Sequence, residues 1–130
     1  MAIILDTSFV IAVEREAKRR EPDKADAFLE AHSGETMFIT FTVAGELACG
    51  ASASAHTQWR RLCQPYAVLP WSMEISWEYG EIYRQLSAAG TLIGTNDLWI
   101  AATARFHGMP LVTANHVEFS RVAGLEILAF

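Results

Sequence analysis

The sequence has few cysteines, no long apolar run and no excess of positive charge, and each absence excludes a class of protein. Its two cysteines, Cys49 and Cys63, are too few for a disulfide framework, which favours a reducing, cytoplasmic setting. No apolar run approaches the ~18 residues of a membrane span, and the run at residues 3–5 reaches Asp6 too early for a signal peptide. Ten basic against fifteen acidic side chains, a formal net charge of -5, argue against a sequence-independent DNA binder.

What the sequence does contain is enough apolar material for one core. It has 130 residues, of which 52% are hydrophobic, and it shows no linker, repeat or low-complexity tract. A single core usually serves about 100–150 residues. We therefore expect one domain that spans residues 1–130.

Short apolar runs alternate along the chain with longer stretches of helical periodicity. The strand candidates are residues 2–5, 37–41, 67–69, 111–112 and 126–128. The helix candidates lie near residues 8–16, 22–32, 43–51, 54–63, 73–89 and 97–107. This alternation predicts an α/β fold with three layers, α/β/α, around a central, mainly parallel sheet of about five strands.

Two of the helix candidates carry clear packing signals. Segment 73–89 can be capped by Ser72 and ended by Gly90, and its apolar stripe consists of Ile75, Tyr79, Ile82, Tyr83 and Leu86. Segment 97–107 is apolar nearly all round, which predicts a buried helix. The four tryptophans are expected to lie mostly in the core: Trp59, Trp71, Trp77 and Trp99.

Polar residues that follow strands are the candidates for a site, because ligands bind beyond the carboxyl ends of the strands in an open α/β sheet. Asp6 ends the first strand, Glu46 lies one helical turn after the second, and Asp97 opens the buried helix. Asn115 and Glu118 follow the fourth strand. Each acid taken singly can also be read as a helix cap or as a complement to the positive end of a helix.

Taken together, the carboxylates are better explained by a bound cation. Asp6 and Asp97 stand beside long apolar stretches, where an unpaired carboxylate is costly, and converging carboxylates raise one another's pKa. Few arginines lie near these motifs, and no lysine follows Lys24. Oxygen ligands without paired cysteine or histidine suit Mg²⁺ or Mn²⁺ rather than Zn²⁺.

Four motifs follow one another across nearly the whole chain. They are LDTS (residues 5–8), VAGELACG (43–50), IGTNDLWIAATA (93–104) and LVTANHVEF (111–119). In order and spacing they resemble PIN-domain ribonucleases and, more narrowly, the VapC toxins of bacterial toxin–antitoxin pairs. The resemblance implies that Asp6, Glu46 and Asp97 hold Mg²⁺ or Mn²⁺. It makes Glu118 the candidate fourth acid, because Asn115 stands where many relatives carry Asp.

The resemblance implies endonucleolytic hydrolysis of RNA, leaving a 5′-phosphate and a 3′-hydroxyl. Water activated by the cation and assisted by Asp97 or Glu46 would be the nucleophile, since no protein nucleophile is evident. Four polar residues are expected to support the carboxylates or to contact a phosphate: Thr7, Ser8, Thr95 and Asn115. Helix capping explains the three hydroxyl residues, Thr7, Ser8 and Thr95, equally well.

The resemblance also implies protein partners. A cognate antitoxin would lay a helical tail in an apolar groove, and a second copy of the toxin would complete a homodimer. Apolar helix faces near residues 8–16 and 43–63 exceed what one sheet must cover, which fits such a groove. The basic stretch 15–20, with Lys24, Arg60 and Arg61, is either a solvated helix face or a source of phosphate contacts.

Three other functions are alternatives to a nuclease. A phospho-receiver module needs a lysine late in the chain, and none follows Lys24. A phosphatase of the haloacid-dehalogenase type needs Asp-x-Asp after the first strand, where Ser8 occupies the second position. A catalytically inactive PIN fold that binds protein remains an alternative, because Asn115 stands where many relatives carry Asp.

Overall fold

The computed structural model describes residues 1–50 and 54–130, and these contain five strands and seven helices. The strands are β1 (Ala2–Leu5), β2 (Thr36–Thr40), β3 (Ala67–Leu69), β4 (Leu111–Val112) and β5 (Ile127–Leu128). The helices are α1 (Thr7–Arg19), α2 (Lys24–Ala31), α3 (Phe41–Ala48), α4 (His56–Cys63), α5 (Met73–Ala88), α6 (Thr95–His107) and α7 (His116–Phe119).

The strands form one sheet in the order β3-β2-β1-β4-β5, and every pair is parallel. The central strand β1 buries Ile3, Ile4 and Leu5 completely, which explains why it is apolar on both faces. From β1 the chain builds one side of the sheet through β2 and β3, then crosses to β4 and β5. The strand order therefore reverses between β1 and β4, where a crevice forms. The predicted three-layer α/β/α fold is confirmed.

All five strand candidates and all six helix candidates are confirmed, with shifts at their ends. Phe41, expected to close the second strand, instead begins α3, because the hydroxyl of Thr40 caps that helix by accepting the Val43 N–H at 3.1 Å. Candidate 43–51 reaches residue 51, which lies outside the described residues. The sequence does not predict α7, whose single turn is too short to show a period.

The packing of α5 and α6 agrees with the sequence in most positions. Ile75, Ile82 and Leu86 are buried on α5, whereas Tyr83 of the same predicted stripe is 45% exposed. Helix α6 buries most side chains from Leu98 to Ala104, and its one exposed large apolar residue is Phe106 near the end, at 42%. No helix in the described part of the chain is long and apolar enough to cross a bilayer.

The expectation that most tryptophans lie in the core is wrong. Trp71 is 50% exposed and Trp77 is 63% exposed, while the remaining two are half-buried. The Trp71 indole N–H donates to the hydroxyl of Ser76 at 2.7 Å, and the Arg84 guanidinium lies 5.1 Å from the Trp77 ring centre. Indole rings tolerate such partly solvent-exposed positions because they combine a large apolar surface with a polar edge and a π-face that attracts cations.

Helix α2 is capped by a carboxylate from the preceding helix. Asp23, at the N-cap position, makes no side-chain cap, but Glu16 of α1 accepts the N–H groups of Asp23 at 2.7 Å, Ala25 at 3.0 Å and Asp26 at 3.0 Å. Burial acts to raise the pKa of Glu16, but the three N–H donors outweigh it and lower the pKa from its ordinary value of 4.5. Glu16 therefore joins α1 to α2.

Because its pKa is lower in the folded state, charged Glu16 should stabilise the fold above pH 4.5 and lose this effect as pH falls through the folded value. We expect Glu16→Gln to lower the Tm by a few degrees at pH 7, with the difference shrinking by pH 3. Thermal melts at both pH values measure this, with Glu21→Gln, an exposed neighbour, as the matched control. Equal melting of the two variants at pH 7 would contradict the capping role.

Candidate active site

Asp6 lies where β1 ends and α1 begins, beside the crevice between β1 and β4. The residue is 6% exposed, and Oδ1 of its carboxylate accepts the N–H of Thr7 at 2.8 Å, which caps α1. Oδ2 accepts the hydroxyl of Thr113 at 2.6 Å and that of Ser8 at 3.3 Å. Capping alone does not account for this arrangement, because a cap uses only one carboxylate oxygen.

Thr113 fixes Asp6 from the neighbouring strand. Leu5 pairs with Val112 in the sheet, so Asp6 and Thr113 are the next residues along the two strands. The Thr113 side chain is fully buried; its hydroxyl donates to Asp6 and accepts the N–H of Asn115 at 2.9 Å. The sequence does not single out Thr113, although its place directly after β4 is the same signal that identifies Asp6.

Glu46 is brought to the same crevice by α3, which begins directly after β2. The Thr7 hydroxyl donates to Oε1 of Glu46 at 2.7 Å, and the Asn96 side-chain amide lies 3.4 Å from Oε2. Thr7 therefore binds both acids, through its N–H to Asp6 and through its hydroxyl to Glu46. Asn96 is a second site neighbour that the sequence does not single out, because an exposed polar residue in a first helical turn is common.

Asp97 enters the cluster from the first turn of α6. It is half-buried, and the side-chain amide of Asn115 donates to its Oδ2 at 3.4 Å. The pKa of Asp97 is raised from 3.8 to about 6. Burial is the largest cause, followed by the charges of Asp6, Glu118 and Glu46 and by a hydrogen bond with Glu118. The four predicted acids therefore lie close enough for three of them to act on the fourth.

Burial also dominates the ionisation of Asp6. It raises the pKa of the Asp6 carboxyl above its ordinary value of 3.8, and the charge of Glu46 adds to that effect. The hydrogen bonds from Thr113, Thr7 and Ser8 work in the opposite direction, because they favour the charged form. Two carboxyls with raised pKa values thus share one crevice, a pattern that is frequent at functional sites.

The structure places the four supporting residues differently. Thr7, Ser8 and Asn115 each hydrogen-bond a carboxylate of the cluster. Thr95 is the exposed first residue of α6, and its hydroxyl makes no hydrogen bond to these acids within residues 1–50 and 54–130. Its role stays a prediction.

Within residues 1–50 and 54–130, no ion pair balances the negative charge of the four acids. In the part of the chain that the structure describes, the ion pairs are Lys18–Glu14, His32–Glu35 and Arg105–Glu78, and none involves the four acids. Among the same described residues, no three His, Cys, Asp or Glu side chains are close enough to form a ready-made metal cluster. The carboxylate oxygens are the kind of ligand that a hard divalent cation prefers. Their spacing, however, is not that of an already formed metal site.

Known proteins are similar to this chain over nearly its whole length. The PIN-domain family model matches residues 3–125. Ribonuclease VapC1 of Rickettsia felis is 33% identical over 136 residues, covering 98% of this chain and 96% of that protein. Ribonuclease VapC2 of Haemophilus influenzae is 35% identical over 129 residues, covering 95% of this chain and 93% of that protein.

Solved structures share the fold. VapBC2 from Rickettsia felis, bound to a DNA fragment from its promoter, has a chain that matches with a TM-score of 0.80 at 24% identity, over 100% of this chain and 99% of that one. VapBC-1 from nontypeable Haemophilus influenzae matches with a TM-score of 0.77 at 26% identity, over 99% and 98% of the two chains. Because the family model and these relatives span almost every residue, the chain belongs to the PIN-domain family.

Proposed function

We propose that this chain is an Mg²⁺- or Mn²⁺-dependent endoribonuclease and the toxin of a type II toxin–antitoxin pair. The observation that carries the proposal is the acid cluster around Asp97, whose pKa is raised to about 6 by burial and by three neighbouring carboxylates. Relatives of about one-third identity bear the name ribonuclease, which supports the same activity here.

The carboxylates of Asp6, Glu46 and Asp97 are the groups that would hold the cation, with Glu118 as the fourth donor. Each is an oxygen donor, and charge neutralisation would relieve the repulsion that raises the pKa values of Asp6 and Asp97. When bound, such a cation supplies positive charge at the scissile phosphate and lowers the pKa of water. Because the described acids form no ready-made cluster, binding would have to draw them together.

The chain's own residues supply proton transfer and orientation. Asp97, whose pKa is raised to about 6, or its neighbour Glu46 is suited to accept a proton from the attacking water. Thr113 and Thr7 hold the carboxylates of Asp6 and Glu46 in fixed positions. The amide of Asn115, already within 3.4 Å of Asp97, is suited to orient that carboxylate or to contact a phosphate. The products would carry a 5′-phosphate and a 3′-hydroxyl, cut from single-stranded or loop RNA.

A cognate antitoxin is the partner that the structural neighbours support, since several are toxin–antitoxin complexes. Two open cavities lie on the helix faces that the sequence predicts as a groove. One, of about 410 Å³, lies between α1 and α4 beside Val10, Val13 and Tyr66. The other, of about 490 Å³, lies beside α3 and α4 and is lined in part by Ala44 and Trp59. An amphipathic helix from the antitoxin is the expected occupant.

Two further features belong to the same proposal. Exposed apolar side chains at Trp71, Met73 and Trp77 offer a face on which a second copy of the chain can pack as a homodimer. Cys49 and Cys63 are both free in the described part of the chain, which is consistent with a reducing cytoplasm. The whole chain, residues 1–130, acts as one nuclease domain.

RNA cleavage should require both the acids and a divalent cation. We expect the wild-type protein to cut members of a single-stranded and hairpin RNA panel in Mg²⁺ or Mn²⁺. Cleavage should stop in chelator, and Asp6→Ala should reduce the rate at least about 100-fold because it removes a charged donor. Denaturing gels with end-group analysis of the products measure this. The matched control is Glu81→Gln, an exposed acid on α5.

Equal cutting by wild type and Asp6→Ala, or full activity in chelator, would contradict the carboxylate mechanism and indicate a contaminating nuclease. The alternative function is an inactive PIN fold that binds protein, and the lack of a ready-made cation cluster in the described residues favours it. That function predicts no cleavage of any RNA in any metal, together with tight association of a small antitoxin.

A further inference from the structure

One strongly charged surface is not used by the candidate active site. Five of the ten basic side chains of the whole sequence fall within ten residues, and the chain as a whole is acidic. These five residues, which we call the α1 basic cluster, are Arg15, Lys18, Arg19, Arg20 and Lys24. Most of them lie on or at the end of α1, the helix that starts at Asp6.

The outer face of α1 runs from the carboxylates to this cluster. Phe9 and Val10 face the core, so the opposite side of the helix carries Ser8 and then Ile11, Arg15 and Arg19 at spacings of three and four residues. Ser8 donates to Asp6, while Ile11 is 40% exposed. A single continuous stripe therefore connects the acid cluster with two exposed arginines.

The acids on α1 do not cancel these arginines. Glu14 is paired with Lys18 at 2.9 Å, and Glu16 is occupied by three backbone N–H groups of the next helix. Within residues 1–50 and 54–130, neither Arg15 nor Arg19 forms an ion pair. Arg15 and Arg19 line a shallow depression of about 250 Å³ together with Ile11 and the paired Glu14 and Lys18.

We infer that the outer face of α1 binds the sugar–phosphate backbone of the RNA strand on one side of the cleavage point, with Arg15 and Arg19 each contacting a phosphate. This rests on the proposed ribonuclease function, since it names where that substrate lies. Arginine matches phosphate with paired hydrogen bonds, and the stripe has a single large apolar residue, which suits a nucleic-acid backbone better than an amphipathic helix.

Helix geometry sets the distance between these contacts and the carboxylates. At a rise of 1.5 Å per residue, Arg15 lies about 10 Å and Arg19 about 16 Å along the axis from Ser8. A stacked strand rises ~3.4 Å per nucleotide, so the two arginines correspond to roughly the third and fifth nucleotides from the scissile phosphate. The acid cluster repels the backbone locally, and the α1 stripe compensates for this at a distance.

Binding measured without cleavage tests the inference. The probe is a fluorescent single-stranded RNA that the wild-type protein cuts or, if none is cut, a mixed-sequence oligonucleotide, titrated in chelator over a series of salt concentrations. The slope of log K against log salt should fall by about 0.7 for Arg15→Gln and for Arg19→Gln, and by about 1.4 for the double variant. The matched control is Arg84→Gln, which removes one charge on α5 beside Trp77 and should change the slope by much less.

The outcomes separate this inference from the proposed function. Reduced slopes support the α1 contacts even if no RNA is ever cut, in which case the nuclease proposal fails alone. Slopes equal to that of Arg84→Gln, or no RNA binding by the wild-type protein at any salt concentration, overturn the inference. The inference is also overturned if the Arg15→Gln and Arg19→Gln variants bind RNA as the wild type does but no longer co-purify with an antitoxin. That result assigns the stripe to a protein partner.

Discussion

Asp97→Asn should produce a protein that is more stable than the wild type in chelator at pH 7.5 and at least about 100-fold less active on RNA in Mg²⁺. The loss of activity follows because the substitution removes a carboxylate that both accepts a proton and donates to the cation in the proposed mechanism. The gain in stability follows from the repulsion and burial that raise the Asp97 pKa to about 6.

The sign of the stability effect is set by the direction of that pKa change. In the folded protein the pKa of Asp97 is about 6, above its ordinary value of 3.8. Between these values the folded state holds a proton that the unfolded chain has lost, so stability falls as pH rises through this window. An uncharged asparagine at this position does not lose stability in this way as pH rises. Because Asp97 is half-exposed, solvent screening limits the gain to about 1 kcal/mol, or roughly 3–5 °C in Tm.

Thermal melts of the two proteins across pH 4 to 8 in chelator measure this difference, which should be largest above pH 6 and vanish near pH 4. Adding Mg²⁺ should raise the Tm of the wild type and leave that of Asp97→Asn nearly unchanged, since the variant lacks one donor. Glu81→Gln again serves as the control. A variant that melts below the wild type at pH 7.5 in chelator would show that Asp97 is not under electrostatic strain.

Thr113→Val should weaken both the fold and the site. Valine has nearly the shape of threonine but can neither donate to Asp6 nor accept the N–H of Asn115. Asp6 Oδ2 then keeps only the longer hydrogen bond from Ser8, and the half-buried Asn115 N–H loses its partner. The lost bond to a charged group and the unsatisfied N–H each cost about 1–3 kcal/mol, and we expect a total loss of about 2–4 kcal/mol. RNA cleavage should fall at least tenfold, because Asp6 is no longer held at the crevice and its pKa rises further.

Thr113→Ser keeps the hydroxyl and is the control for this prediction. It should recover most of the activity even though it loses a methyl group from a fully buried position. Urea unfolding compares the stabilities, and initial rates on one RNA compare the activities. If serine and valine were equally inactive, packing of the methyl group would matter more than the hydrogen bond to Asp6.

Much of the fold follows from local pattern. The fully buried run of β1 and the nearly all-apolar α6 predict a central parallel strand and a buried helix, and the structure has both. Three acids at strand and helix ends could be identified as candidates for the same physical reason, because parallel strands deliver their carboxyl ends to one edge of the sheet. Glu118 is the fourth predicted acid, although α7, the helix that carries it, is too short to be predicted.

The supporting contacts could not be predicted, because they join residues far apart in sequence. Thr113 reaches Asp6 across 107 positions, and Asn96 approaches Glu46 across 50. Nothing local distinguishes these side chains from the many other polar residues of the chain. The exposed Trp71 and Trp77 illustrate the same limit, since residue type favours burial while the final packing leaves the start of α5 and the residues just before it uncovered.

The order of residues around the central strand has a consequence during synthesis. Asp6 emerges from the ribosome early, but the β4 threonine that holds it and the acids of α6 and α7 are translated in the last third of the chain. A nascent chain that lacks those segments carries only Asp6 and Glu46 of the four acids, and it has no crevice between β1 and β4. The enzyme that we propose would therefore be unable to cut RNA, including the message being read, until α7 had been made.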